Sequence, residues 1–103
     1  MITAFVQFPV REHVTRDKAR ELFLATAPRY RDVPGLIRKY YLLCEDGNSV
    51  GGVYLWNSRS DAERMYSEEW ARFIKERYGA EPSVTYFDSP VIVDNAAGVI
   101  EAG

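Results

Sequence analysis

A single cysteine and a single histidine in 103 residues leave almost no material for sulfur or imidazole chemistry. Cys44 alone excludes an internal disulfide framework, and with His13 it cannot build a His- or Cys-based metal cluster; neither HExxH nor CxxC spacing occurs. No metal is expected. Positive charge is not in excess either: 13 Lys and Arg face 15 Asp and Glu, and the basic residues are scattered, which argues against a nucleic-acid partner. No apolar run approaches the roughly 20 residues needed to cross a bilayer. The opening MITAFVQFPVRE lacks the basic start, long apolar stretch and small-residue cleavage site of a signal peptide. The expectation is a cytoplasmic protein with no membrane partner. GxSxG, P-loop and GxGxxG patterns are absent as well, so nucleotide cofactors have no visible seat. Glu68 and Glu69 diverge as neighbours on a helix, and Glu45 and Asp46 sit in a turn, so neither pair suggests acid/base carboxylates.

What is present is apolar and aromatic: 47% of residues are hydrophobic and 14% aromatic, enough for a globular core of one domain over residues 1–103. Ile2–Phe8 reads as a strand closed by Pro9. Thr15 can cap a helix with apolar positions Ala19, Leu22, Phe23, Thr26, Ala27 and Tyr30, and Pro28 kinks its last turn or ends it. Leu36–Cys44 forms a second strand, EDGNS a hairpin connection, and Val50–Trp56 a third strand. Ser60 with Glu63 fits a capping box for one longer helix, running to Gly79 with Met65, Tyr66, Trp70, Phe73 and Ile74 on its stripe. Ser83–Val93 is a fourth strand, broken or bent at Pro90, and Asp94–Gly103 a small polar remainder. The order βαββαβ is the ferredoxin-like arrangement, α+β, with a four-stranded antiparallel sheet and both helices on one face.

The strands do not alternate cleanly. Strand one turns Ile2, Ala4, Val6 and Phe8 to one side but Phe5 to the other, and strand two puts Tyr40 and Leu42 opposite Ile37, Tyr41 and Leu43. Helices cover one face only, so the second apolar face predicts a homodimer with sheet stacked on sheet; Tyr side chains half-exposed at the rim are the other explanation.

A two-residue turn at Asp46-Gly47 would pair Leu42 with Gly51, Tyr41 with Gly52, Lys39 with Tyr54 and Ile37 with Trp56. Lys39, Tyr41, Gly52, Tyr54 and Trp56 then share a face. The missing side chain of Gly52 either opens a pocket bordered by Tyr41, Tyr54 and Trp56, or is covered by Tyr41, or marks a β-bulge at Gly51-Gly52.

The segment PGLIRKYYLLCEDGNSVGGVYLW, residues 34 to 56, resembles the YdhR-type monooxygenases of the dimeric α/β barrel superfamily in Pro34-Gly35, Lys39, Gly51-Gly52 and Tyr54-Leu55. The resemblance implies a ferredoxin-like protomer, a homodimer, a cavity between sheet and helices, and cofactor-independent oxygenation of a small phenol- or quinol-like aromatic. Such an enzyme must bind a flat aromatic, assist proton removal and exclude water. Phe23, Tyr41, Gly52, Tyr54, Trp56, Tyr66 and Trp70 could line the site, although Tyr66 and Trp70 serve equally as core. Lys39 could stabilise a phenolate-like anion or be an edge lysine. His13 could be the base or a surface histidine ahead of a helix cap. Tyr86 and Arg38 become polar contacts if the face count is off by one. The other functional class open to this sequence is a non-catalytic small-molecule binder or dimeric accessory protein.

Overall fold

Ile2–Pro9 (β1) and Ser49–Trp56 (β3) form the centre of a four-stranded antiparallel sheet, flanked by Leu36–Leu43 (β2) and Ser83–Asp88 (β4) in the order β2-β3-β1-β4. The computed structural model describes residues 1–103. With Arg16–Thr26 (α1) between β1 and β2, and helices between β3 and β4, this is the ferredoxin-like arrangement the element order predicts. Thr15 caps α1, its hydroxyl accepting from the Lys18 amide at 3.2 Å. Pro28 ends that helix early, and Ala27–Tyr30 continues it as one tighter 3₁₀ turn that carries Tyr30 back over the sheet.

Three expectations about the elements themselves need correction. The second helix is two helices, Arg59–Met65 (α2) and Glu68–Tyr78 (α3), because Ser67 starts a new one: its hydroxyl accepts from the Trp70 amide at 3.2 Å, with Glu68 and Glu69 in the positive first turn. The cap of α2 is Ser58, not Ser60; Ser58 Oγ accepts from the Asp61 amide, and Glu63 pairs with Arg59 instead of closing a capping box. Finally, the chain after Pro90 is neither the end of β4 nor an irregular tail. Val91–Asp94 (β5) and Val99–Ala102 (β6) pair as a separate hairpin, whose Asp94 reaches Arg38 of β2 at 3.5 Å.

The register of β2 on β3 follows the turn at Asp46-Gly47, where Gly47 takes a positive φ of 73°. Leu42 faces Gly51, Tyr41 faces Gly52 and Lys39 faces Tyr54, as expected. The expected Ile37–Trp56 pair does not form, since an irregularity between Leu36 and Arg38 brings Leu36 opposite Trp56 and leaves Ile37 exposed. The ladder through Gly51 and Gly52 is unbroken on both sides, so no bulge lies there.

Ala4, Val6, Phe8, Val50, Tyr54 and Trp56 make the buried sheet face, against Tyr30, Ala62, Trp70 and Ile74 from the helical layer. Trp56 has no exposed surface at all. On the opposite face Tyr40 and Phe87 remain about half exposed. No helix is long and apolar enough to cross a membrane.

Candidate functional site

Strand alternation turns Lys39 inward from the edge strand β2, a costly position for an ammonium unless its charge is met. It is met by aromatic faces. Lys39 Nζ lies 3.4 Å from the ring centroid of Tyr30, 3.7 Å from that of Tyr41 and 4.7 Å from that of Tyr54. The protein's ion pairs all lie elsewhere, so no carboxylate neutralises this amine. Burial pushes the Lys39 pKa down to about 7, while the three ring faces favour the charged form. Both protonation states are thus accessible near neutrality.

Gly52 makes this position reachable. A Cβ there would stand 3.1 Å from Tyr54 Cε1 and 3.3 Å from Lys39 Cε, so the space it leaves holds the lysine stem and the edge of the Tyr54 ring. Gly51 serves a different need, because a Cβ at that position would run into the carbonyl oxygen of Val6 on β1.

The rings continue from the cage into the core. Phe23 stacks on Tyr41 with centroids 4.7 Å apart, Tyr30 meets Tyr41 and Tyr54 edge-on, and Tyr54 packs against Trp56 and Tyr66, with Tyr66 in turn on Trp70 at 4.8 Å. Trp56 Nε1 donates to Tyr66 Oη, and Trp70 Nε1 to Tyr30 Oη, both at 3.1 Å. Thr26 Oγ1 gives its proton to the Phe23 carbonyl (3.2 Å) and so accepts from Tyr41 Oη (2.8 Å). Burial raises the Tyr41 pKa to about 12, and raises those of Tyr54 and Tyr66 further.

All seven residues read as lining therefore meet in one cluster, with Lys39 at its edge. His13 does not join it. The histidine is exposed and packs against Gly47 in the β2–β3 connection. Tyr86 touches the cluster through Tyr66, 6.2 Å between centroids, whereas Arg38 faces the other way, to Asp94. Sequence reasoning missed Tyr30 and Thr26 as site residues. The signal was their spacing: with Phe23 they recur at helical intervals on one face of α1 and its terminal turn.

The open cavity expected between sheet and helices is closed. Indole–phenol hydrogen bonds draw the rings together, and the space beside Lys39, Tyr41 and Tyr54 is about 20 Å³, room for one water. Larger space lies outside the edge of β2. A groove of about 460 Å³ there is lined by Leu24, Ala27, Pro28, Leu36 and Ile37, together with Lys39 and Tyr41. No three His, Cys, Asp or Glu side chains gather where they could hold a metal ion.

No family profile and no curated protein matches the chain. Solved structures do. A monooxygenase from the gene ActVA-Orf6 of Streptomyces coelicolor, in complex with Nanaomycin D, is 21% identical with a TM-score of 0.66 over 89% of each chain. SnoaB, a cofactor-independent oxygenase from Streptomyces nogalater, is 17% identical with a TM-score of 0.60, over 85% of this chain and 91% of that one. Rv0793 from Mycobacterium tuberculosis is 17% identical with a TM-score of 0.61, over 85% and 93%. At these identities the likeness concerns the fold.

Proposed function

We propose that this protein is a cofactor-independent monooxygenase of the kind the YdhR-type resemblance implies, acting as a homodimer on a small phenol- or quinol-like aromatic. The observation that carries the reading is the Lys39 amine, held against three tyrosine rings with no carboxylate partner. As a neutral amine Lys39 takes the acidic proton of the substrate, and as the resulting ammonium it lies beside the anion formed. The anion gives one electron to dioxygen; substrate radical and superoxide combine to a peroxide anion, the Lys39 ammonium returns the proton to make it a hydroperoxide, and loss of water, with the hydrogen on the oxygenated carbon, leaves a new carbonyl. Dioxygen is the only oxidant this sequence needs. Fold likeness to two oxygenases supports the reading. The substrate docks along the groove outside β2, whose lining includes Lys39 and Tyr41, and reaches the amine from there. His13 lies apart and is given no role.

Oxygen consumption with a panel of hydroquinones and anthrones tests this. Turnover by wild type that falls at least tenfold in Lys39→Ala, with a smaller loss in Tyr54→Phe, is the expected result. The closed interior favours a second reading, a non-catalytic dimeric binder. Absence of oxygen uptake across the whole panel would select it.

A further inference from the structure

We propose that Lys39 also forms a reversible imine with flat apolar aldehydes that enter by the groove outside β2. Three features of the site carry this. The amine has no carboxylate to hold it as an ion pair, and its immediate surroundings are ring faces. Lys39 is part of the lining of a groove whose Leu24, Ala27, Pro28 and Ile37 offer an apolar seat to a ring. The other charged residues along that groove, Arg31 and Arg38, bring it no carboxylate, and Arg38 is drawn away to Asp94.

A half-buried lysine with a depressed pKa is a nucleophile near neutrality, where an exposed one is almost wholly protonated. The Nζ lone pair adds to the carbonyl carbon, the carbonyl oxygen takes a proton and the nitrogen loses one, giving a carbinolamine. Loss of water then leaves the C=N bond. Hydrolysis reverses the sequence, and no electrons are gained or lost. The inference uses the same amine as the proposed oxygenase but none of its oxygen chemistry, so either can fail alone.

The chain holds three lysines, and the other two are built-in references. Lys18 and Lys75 are exposed on helices and sit 3.8 and 3.5 Å from Glu21 and Glu81. The full-length protein is incubated with benzaldehyde near neutral pH, reduced with borohydride and mapped by peptide mass spectrometry. The expected result is benzylation of Lys39 in roughly tenfold excess over Lys18 and Lys75. Ala27→Trp, which fills the groove, should abolish that excess while circular dichroism and labelling of the two reference lysines stay unchanged. Equal labelling of the three lysines, labelling of Lys18 and Lys75 without Lys39, or an excess that survives Ala27→Trp in a folded protein would overturn the proposal.

Discussion

Lys39 Nζ sits 3.4 Å above the ring of Tyr30, and the same Tyr30 hydroxyl accepts the indole proton of Trp70. One side chain in a 3₁₀ turn thereby ties an inward lysine on the edge strand to the buried tryptophan of α3. The stability of the fold and the state of the amine are linked through it.

The sign of that link can be read from pH. A lysine whose folded pKa is near 7 gives up its proton before the unfolded chain does, whose lysines titrate near ~10.4. Between those values the unfolded state binds more protons, so stability rises with pH. The rise ends as pH approaches ~10, the ordinary tyrosine value, because folded Tyr41, at about 12, keeps its proton longer than the unfolded chain does. Urea unfolding should therefore give a gain on the order of 2–3 kcal/mol from about pH 7 to about 9.5. Lys39→Met should flatten most of that slope. A wild-type profile that is level or falling over this range would mean the amine is not desolvated.

The two indole hydrogen bonds predict unequal costs for similar mutations. Tyr30→Phe strands the Nε1 proton of buried Trp70 and should lower stability by about 1–3 kcal/mol, an unmade buried hydrogen bond. Tyr41→Phe removes only a donor to Thr26, which keeps the Phe23 carbonyl, so its cost should stay below about 1 kcal/mol. Equal losses in thermal or urea unfolding would mean that packing in the cage dominates hydrogen bonding.

Gly51 and Gly52 separate in the same way. Gly51→Ala drives a methyl group into the Val6 carbonyl, so the central β1–β3 pair must part, and the variant should lose about 3 kcal/mol or more, or fail to fold. Gly52→Ala needs shifts of a few tenths of an ångström and is met partly by the flexible Lys39 stem. A loss of about 1–2 kcal/mol, with a weaker pH slope as the amine is pushed toward the groove, is the expected outcome. The reverse ranking would contradict the strand geometry.

The β-order and the pairing of Lys39 with Tyr54 were legible because apolar spacing and an Asp-Gly turn act locally. The single long second helix was not: the helical stripe of Met65, Tyr66 and Trp70 runs across Ser67, and only the Ser67 cap with its two glutamates marks the break. The β5–β6 hairpin escaped because Val99 and Ile100 are a lone apolar pair among small residues, while their partner Val93 reads as the end of the preceding strand and Asp94 as the start of a polar tail. Membership of the aromatic cluster followed from face counting, but its closure did not. Indole–phenol bonds such as Trp56–Tyr66 depend on helix placement, which no periodicity encodes.

The outer sheet face carries the last prediction. Phe5, Val53 and Tyr40 lie side by side across β1, β3 and β2 on that face, with Tyr40 55% exposed. If a second copy stacks there, Val53 lies near the centre of the contact. In an isolated protomer Val53→Glu would place a charge on a partly solvated surface, at a cost of about 0.5 kcal/mol or less. In a stacked dimer it would bury a carboxylate twice, once from each copy, with no partner. Sedimentation equilibrium in the low micromolar range should find wild type dimeric and Val53→Glu monomeric, with circular dichroism unchanged. A wild-type monomer, or a Val53→Glu dimer as tight as wild type, would remove this face as the interface and leave its apolar row to the rim and to the β5–β6 hairpin.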